Sequence, residues 1–146
     1  MFNSNMLSGL IELLEDKIGY DFDVDSFESR LELQKYVYLV RYFSDDLKYS
    51  FNLYAHGPYS PSLAGEYYSI NRDEVEMPKI REQFFELIND KDAKWLELAS
   101  TILLYRKQNR SKSDVVIIRK VKSRKSWSTV EEIQSIIEEL KKVSIF

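Results

Sequence analysis

The sequence predicts a mainly α protein at the margin of the α+β class: a compact bundle of six or seven helices with one short hairpin or strand pair. Apolar side chains recur at the helical period of about 3.6 residues along most of the chain. The chain has only four Gly and three Pro, so helix-breaking positions are few. Only residues 48–55 alternate as a strand does. With 146 residues, no internal repeat and no linker, we expect a single globular domain over 1–146.

The first two predicted helices span 4–18 and 26–43. The first has one apolar face and ends at Gly19. The second is expected to begin with Asp25 as N-cap and Glu28 as its capping-box partner. It is apolar nearly all round, which is typical of a central, buried helix.

The middle of the chain is predicted to form a strand, a rigid turn and a helix. Residues 48–55 alternate as a strand, and the two prolines in 56–61 predict a turn. Ser60 and Pro61 then predict the start of a helix that runs to about 69. Residues 74–77 are a candidate second strand.

Four further helices complete the prediction. They are expected at 79–88, at 92–108 with Asp92 as cap, and at 113–122, where a β-branched run also suits a strand. The last, at 129–142, is expected to have Ser128 as cap and Glu131 as its capping-box partner.

The composition excludes several classes of site. There is no cysteine, so disulfides, thiolate zinc sites and cysteine nucleophiles are ruled out. We find no signal peptide, and no apolar run approaches the ~20 residues that a membrane span needs. The sequence therefore predicts a cytoplasmic protein without a membrane partner.

The single histidine, His56, has no catalytic partners at a recognisable spacing, and no phosphate-binding loop is present. We therefore expect no enzymatic activity and no cofactor, and an enzyme around His56 and nearby carboxylates is a further alternative.

One acidic loop resembles a calcium-binding loop in its spacing. Asp21, Asp23, Asp25 and Glu32 occupy positions 1, 3, 5 and 12 of such a loop, between two predicted helices. Against calcium, Ser26 stands where the loop needs glycine, and helix capping already accounts for Asp25. We expect no metal here, with calcium kept as the alternative.

Charge is distributed unevenly along the chain. Residues 106–125 carry nine basic side chains and one acidic one, whereas residues 1–105 carry a net charge of −9. The basic side chains could meet phosphates, and a nearby tryptophan could stack on a base. A solvated helix face that balances the acidic remainder is the alternative. The nucleic-acid candidates are Arg106, Lys107, Arg110, Lys112, Arg119, Lys120, Lys122, Arg124, Lys125 and Trp127.

Tyrosine is concentrated in one region. Eight of the ten tyrosines lie between Tyr36 and Tyr68. Tyrosine loses little entropy on immobilisation and suits protein contacts, although a tyrosine-rich core is equally physical. The candidate contact residues are Tyr36, Tyr38, Tyr54, His56, Tyr59, Tyr67 and Tyr68.

Two segments together resemble a known family. An LQK helix (33–39, LQKYVYL) is followed by an aromatic strand and a Gly-Pro turn (51–63, FNLYAHGPYSPSL). This pairing resembles the YwgA-like proteins of bacteria and archaea and the related Panacea domain of SocA-type antitoxins. The resemblance covers about 31–70 and extends to 95–140 only in the order of helices. It implies binding to another protein, as when an antitoxin neutralises a toxin or delivers it for degradation, and it supplies no catalytic residues.

The same motif makes a physical prediction. Gln34 and Lys35 are polar residues on an otherwise apolar helix, so backbone groups must satisfy them if they are buried. We expect one of them to hold the turn formed by Gly57, Pro58 and Pro61. The sequence thus predicts a non-enzymatic protein-interaction module, antitoxin-like or regulatory. A nucleic-acid-associated regulator that uses 106–125 is the alternative.

Overall fold

A computed structural model describes residues 4–146, which form seven helices and a two-stranded sheet, with 57% of the chain helical. The predicted mainly α class is confirmed. The elements are α1 (Ser4–Ile18), α2 (Phe27–Val40), β1 (Asn52–Tyr54), β2 (Gly57–Tyr59), α3 (Pro61–Tyr67), α4 (Gln83–Ile88), α5 (Ala93–Gln108), α6 (Asp114–Arg124) and α7 (Val130–Lys142).

Helices α2 and α5 form the centre of the fold. Every residue from Leu33 to Val40 is buried, as the apolar composition of this helix predicts. Helix α5 packs on α2, α6, α7 and β2, and its run from Leu98 to Leu104 is buried throughout. Buried apolar side chains from all seven helices join one core cluster.

Two predicted helix caps are wrong by one residue. In α2 the N-cap is Ser26, whose Oγ accepts a hydrogen bond from the Ser29 amide, while the Asp25 amide donates to Asp23 Oδ1. In α7 the N-cap is Thr129, which forms a capping box with Glu132 instead of Glu131. The Ser128 hydroxyl instead donates to the Lys125 carbonyl at the end of α6, at 2.6 Å.

The strand pair also differs from the prediction. Only Asn52–Tyr54 of the predicted strand 48–55 pairs, and its antiparallel partner is Gly57–Tyr59 instead of 74–77. Pro58 lies opposite Leu53, and because proline has no N–H it fits only the non-hydrogen-bonded position of the ladder. The segment expected to be only a turn therefore supplies a strand.

Helix α4 begins four residues later than predicted. Residues 79–81 instead form hydrogen bonds with the loop that follows α2: the Lys79 carbonyl accepts from Ser44 Oγ at 2.6 Å, and the Arg81 amide donates to the Phe43 carbonyl at 3.0 Å.

The segment 113–122, for which a strand was the alternative prediction, is helical. Within residues 4–146, no helix combines the length and apolar character needed to cross a bilayer.

Candidate functional site

The motif carried by 33–63 forms a junction between α2, the hairpin and α3. The Gln34 amide pairs with the backbone of Ser60: Gln34 Nε2 donates to the Ser60 carbonyl at 3.0 Å, and the Ser60 amide donates to Gln34 Oε1 at 2.8 Å. Ser60 Oγ in turn accepts from the Leu63 amide, and Pro61 occupies the first turn of α3. The expected contact of Gln34 with the turn is confirmed.

Lys35 does not hold the turn, because its Nζ contacts only the Leu31 carbonyl of its own helix, at 3.5 Å. It is 3% exposed, and burial lowers its pKa, opposed by the Glu97 carboxylate. The tip of the hairpin is held instead by Lys125, whose Nζ lies 2.9 Å from the Ala55 carbonyl and 2.9 Å from Glu97 Oε2. A lysine 70 positions away along the chain therefore takes the predicted role.

The tyrosines of 36–68 separate into buried and exposed sets. Tyr36, Tyr38 and Tyr67 are buried in the core, so their prediction as contact residues on the surface is wrong. Burial raises the pKa of all three phenols, to about 12 for Tyr36 and Tyr67. They point inward because α2 and α3 direct these positions at the core cluster.

The exposed aromatics lie together on the other side of this junction. Phe27 is 56% exposed, Tyr54 is 45% exposed and Tyr68 is 62% exposed. Together with Arg30, His56 and Tyr59 they form a surface that we call the aromatic face. Phe27 begins α2, Tyr54 ends β1, Tyr59 ends β2 and Tyr68 follows α3, so four elements contribute to it.

Contacts between rings connect the members of the aromatic face. The Phe27 and His56 rings lie 5.9 Å apart edge to face, and the Tyr54 and Tyr59 rings lie 5.4 Å apart. The Arg30 guanidinium lies 5.9 Å from the Phe27 ring centre and 5.8 Å from that of Tyr68. It is held there by a 2.7 Å hydrogen bond to the Val24 carbonyl. The face is therefore continuous from Tyr68 to His56.

A shallow groove of about 340 Å³ crosses this face between Phe27, Leu31, Tyr54 and Tyr59. His56 lies at its edge, exposed, and none of the described residues that line the groove is acidic. The groove offers apolar contact surface beside one imidazole.

The calcium-like spacing does not produce a cage of ligands. Among residues 4–146, no group of three or more His, Cys, Asp or Glu side chains is placed to hold a metal ion. Asp23 Oδ1 instead accepts from the Asp25 amide, which closes a local turn before α2. Asp21 is exposed, and burial raises the pKa of Glu32, with the nearby Glu28 carboxylate adding to the shift. Calcium binding at these four carboxylates therefore stays an untested alternative.

Three of the nine basic side chains in 106–125 are engaged with groups of the protein itself. Lys125 is buried and paired with Glu97, Lys122 Nζ bonds the carbonyls of Ser126 and Ser128, and Arg106 Nη1 donates to the Lys112 carbonyl. Lys125 is thus wrong as a nucleic-acid candidate. Trp127 is exposed, with Lys94 Nζ 5.5 Å from its ring centre. The remaining basic candidates are exposed: Lys107, Arg110, Lys112, Arg119, Lys120 and Arg124.

Sequence reasoning missed Phe27 and Arg30. A signal was available for Phe27, since a large apolar residue in the first turn of a helix, next to Glu28, falls outside the buried stripe. No local signal identifies Arg30, because its position depends on Val24 and on Tyr68 of a distant element.

No family model, curated protein or solved structure matches this chain.

Proposed function

We propose that this protein is a non-enzymatic interaction module that binds another protein through the aromatic face. The observation that carries the proposal is the set of exposed rings, Phe27, Tyr54 and Tyr68, joined around Arg30 and His56. Aromatic and arginine side chains contribute most of the binding energy in protein interfaces. Exposed apolar residues that cluster, as these do, mark interaction sites more often than scattered ones.

The partner that suits this face is a protein with an apolar side chain for the groove and an acidic group near Arg30 and His56. The resemblance to the YwgA-like and Panacea families supports a protein partner, since the Panacea domain of antitoxins acts by binding proteins. It favours an antitoxin-like or regulatory role. The groove is lined almost entirely by apolar and aromatic side chains, so an apolar side chain of a partner protein suits it.

A matched pair of variants tests the proposal. The first carries Phe27→Ser, Tyr54→Ser and Tyr68→Ser; the control carries Val75→Ser, Met77→Ser and Val115→Ser, which are exposed apolar residues elsewhere. Affinity-tagged wild type, face variant and control are expressed in native cells and purified with whatever binds them. We expect one defined protein with the wild type and the control and its loss with the face variant, since each hot-spot truncation costs about 2 kcal/mol or more.

Two results would contradict the proposal. One is retention of the same partner by the face variant, with circular dichroism showing that all three proteins are folded. The other is a wild-type dimer that the face variant alone dissolves, because the face would then serve self-association.

The alternative remains a nucleic-acid-associated regulator that uses the exposed part of 106–125. This alternative would be favoured if the protein shifts a short nucleic-acid duplex or single strand in a gel and the binding weakens steeply with salt. The variant Arg119→Glu with Lys120→Glu should then lose binding, while the face variant should keep it.

A further inference from the structure

A second pocket lies away from the aromatic face, where the C-terminal ends of α2 and α5 meet residues 144–146. Its cavity measures about 480 Å³, within the range of ~300–1,000 Å³ typical of small-molecule sites. Four basic side chains line it: Arg41, Arg106, Lys107 and Arg110. None of the described residues in its wall is acidic.

The positive charge of this pocket is not balanced locally. The nearest carboxylate contact is Asp114 Oδ1, 3.8 Å from Arg106, but Asp114 Oδ2 already lies 2.7 Å from Lys141. Arg41, Lys107 and Arg110 have no ion pair with any carboxylate among residues 4–146. The two helix ends contribute roughly half a negative charge each, about one in total. Against four cations this leaves a clear positive excess.

Three of these cations lie close enough to repel one another. The pKa of Lys107 is lowered chiefly by the Arg41 guanidinium, then by burial and by Arg110. A site that holds like charges together without counter-ions lowers its own energy when an anion enters.

Two of the four cations are held in place by their surroundings. The Arg41 guanidinium lies 5.4 Å from the Tyr38 ring centre and 5.5 Å from that of Phe51. Arg106 donates to the Lys112 carbonyl at 2.7 Å and lies 4.6 Å from the Phe146 ring centre. Such preorganised cations bind an anion at a low cost in side-chain entropy.

Apart from Ser144, the other residues that line the pocket are apolar or aromatic. Leu103, Ile145 and Phe146 line it, together with the ring of Tyr42. A ligand that fills this space therefore needs a clustered negative charge at one end and a flat, weakly polar body at the other.

We propose that this pocket binds a nucleotide that carries two or three phosphates. The phosphates contact Arg41, Lys107 and Arg110, and the base lies against Tyr42 and Phe146. Arginine and lysine are the usual phosphate-binding side chains, and aromatic rings accept any base through its face. This site is independent of the protein partner proposed above.

Calorimetric titration with two probes tests the site: sodium tripolyphosphate and ATP, at low ionic strength without divalent ions. We expect both to bind at one site per chain, with ATP tighter because its base adds contacts with the aromatic wall. The variant Lys107→Glu with Arg110→Glu should weaken both by roughly tenfold or more. The control, Arg119→Glu with Lys120→Glu, changes the net charge equally on exposed residues outside the pocket and should change affinity less than about twofold.

Three outcomes would overturn the proposal. They are no saturable heat with either probe, equal weakening by the two charge-reversal variants, and ATP that binds no tighter than tripolyphosphate. The Phe27, Tyr54 and Tyr68 triple variant should bind ATP as the wild type does. Co-purification of a partner and calorimetry with nucleotide therefore test the two proposals separately, and either proposal can fail without the other.

Discussion

Gln34 and Lys35 are neighbours on α2 and both are almost fully buried, yet their surroundings differ greatly. Gln34 forms two hydrogen bonds with Ser60, whereas Lys35 has a single long contact with Leu31. A buried ammonium group with so little compensation destabilises the fold. The sequence predicts that both residues lie on a buried helix. Which of the two reaches the turn depends on how that helix is rotated relative to the hairpin, and no local sequence pattern determines this rotation.

Replacing Lys35 by Met should stabilise the protein at pH 7, by about 1 kcal/mol, because an apolar side chain of similar shape removes the desolvation cost. Burial holds the folded pKa of Lys35 below its usual 10.5, so the unfolded chain binds more protons between these two pKa values. The stability of the wild type therefore rises with pH in that window, and the advantage of Met should shrink as the pH approaches 10.5. Urea unfolding of both proteins at pH 7 and at alkaline pH measures this.

The exposed Lys120→Met serves as control and should show neither effect. A Lys35→Met protein that is less stable than the wild type at pH 7 would mean that the attraction of Glu97 outweighs burial.

At the scale of elements, the prediction from sequence is good for helices and poor for the sheet. Periodicity and caps locate the helices because each depends on residues within four positions. Strand β2 was missed because Gly57-Pro58 has the composition of a turn, and its pairing depends on Leu53 across the hairpin. Gly57 has a φ of +100°, and a Cβ there would lie 3.0 Å from Thr101 Oγ1, so glycine serves both the bend and the packing on α5.

The Gln34–Ser60 contact joins α2 to the start of α3, and its loss should be costly. Gln34→Leu leaves the buried amide and carbonyl of Ser60 without their partner, for which we expect a loss of about 3 kcal/mol in the free energy of unfolding. Denaturant unfolding measures the loss. Gln134→Leu, on the exposed side of α7, is the control and should stay within about 0.5 kcal/mol of the wild type. Equal stability of the two variants would show that Gln34 does not hold the junction.

At the scale of the whole molecule, ion pairs between helices balance part of the uneven charge along the sequence. Lys125 is paired with Glu97 of α5, Lys94 with Glu132, and Lys141 with Asp114. Pairs of this kind depend on how helices pack, so the basic run 106–125 could not be assigned to one surface from its order alone. The same holds for the aromatic face, whose members come from four elements.

The single core cluster predicts cooperative unfolding. Trp95 belongs to α5 and Trp127 to the segment before α7, whereas far-UV circular dichroism reports on all helices. Unfolding curves in urea from tryptophan fluorescence and from circular dichroism should therefore coincide. Two separated transitions would show that part of the helical bundle is an independent unit.

The anchoring of the hairpin at both ends has a consequence for the speed of recognition. Lys125 fixes the loop carbonyl of Ala55, and Gln34 fixes Ser60 just after β2. The rings of the hairpin are therefore held in one arrangement before any partner binds, so the binding that we propose needs no prior opening or refolding. Association of the proposed partner with the aromatic face should follow single-step kinetics, with an association rate constant of about 10⁵–10⁷ M⁻¹s⁻¹. Differences in affinity between partners should then lie in the dissociation rate constant.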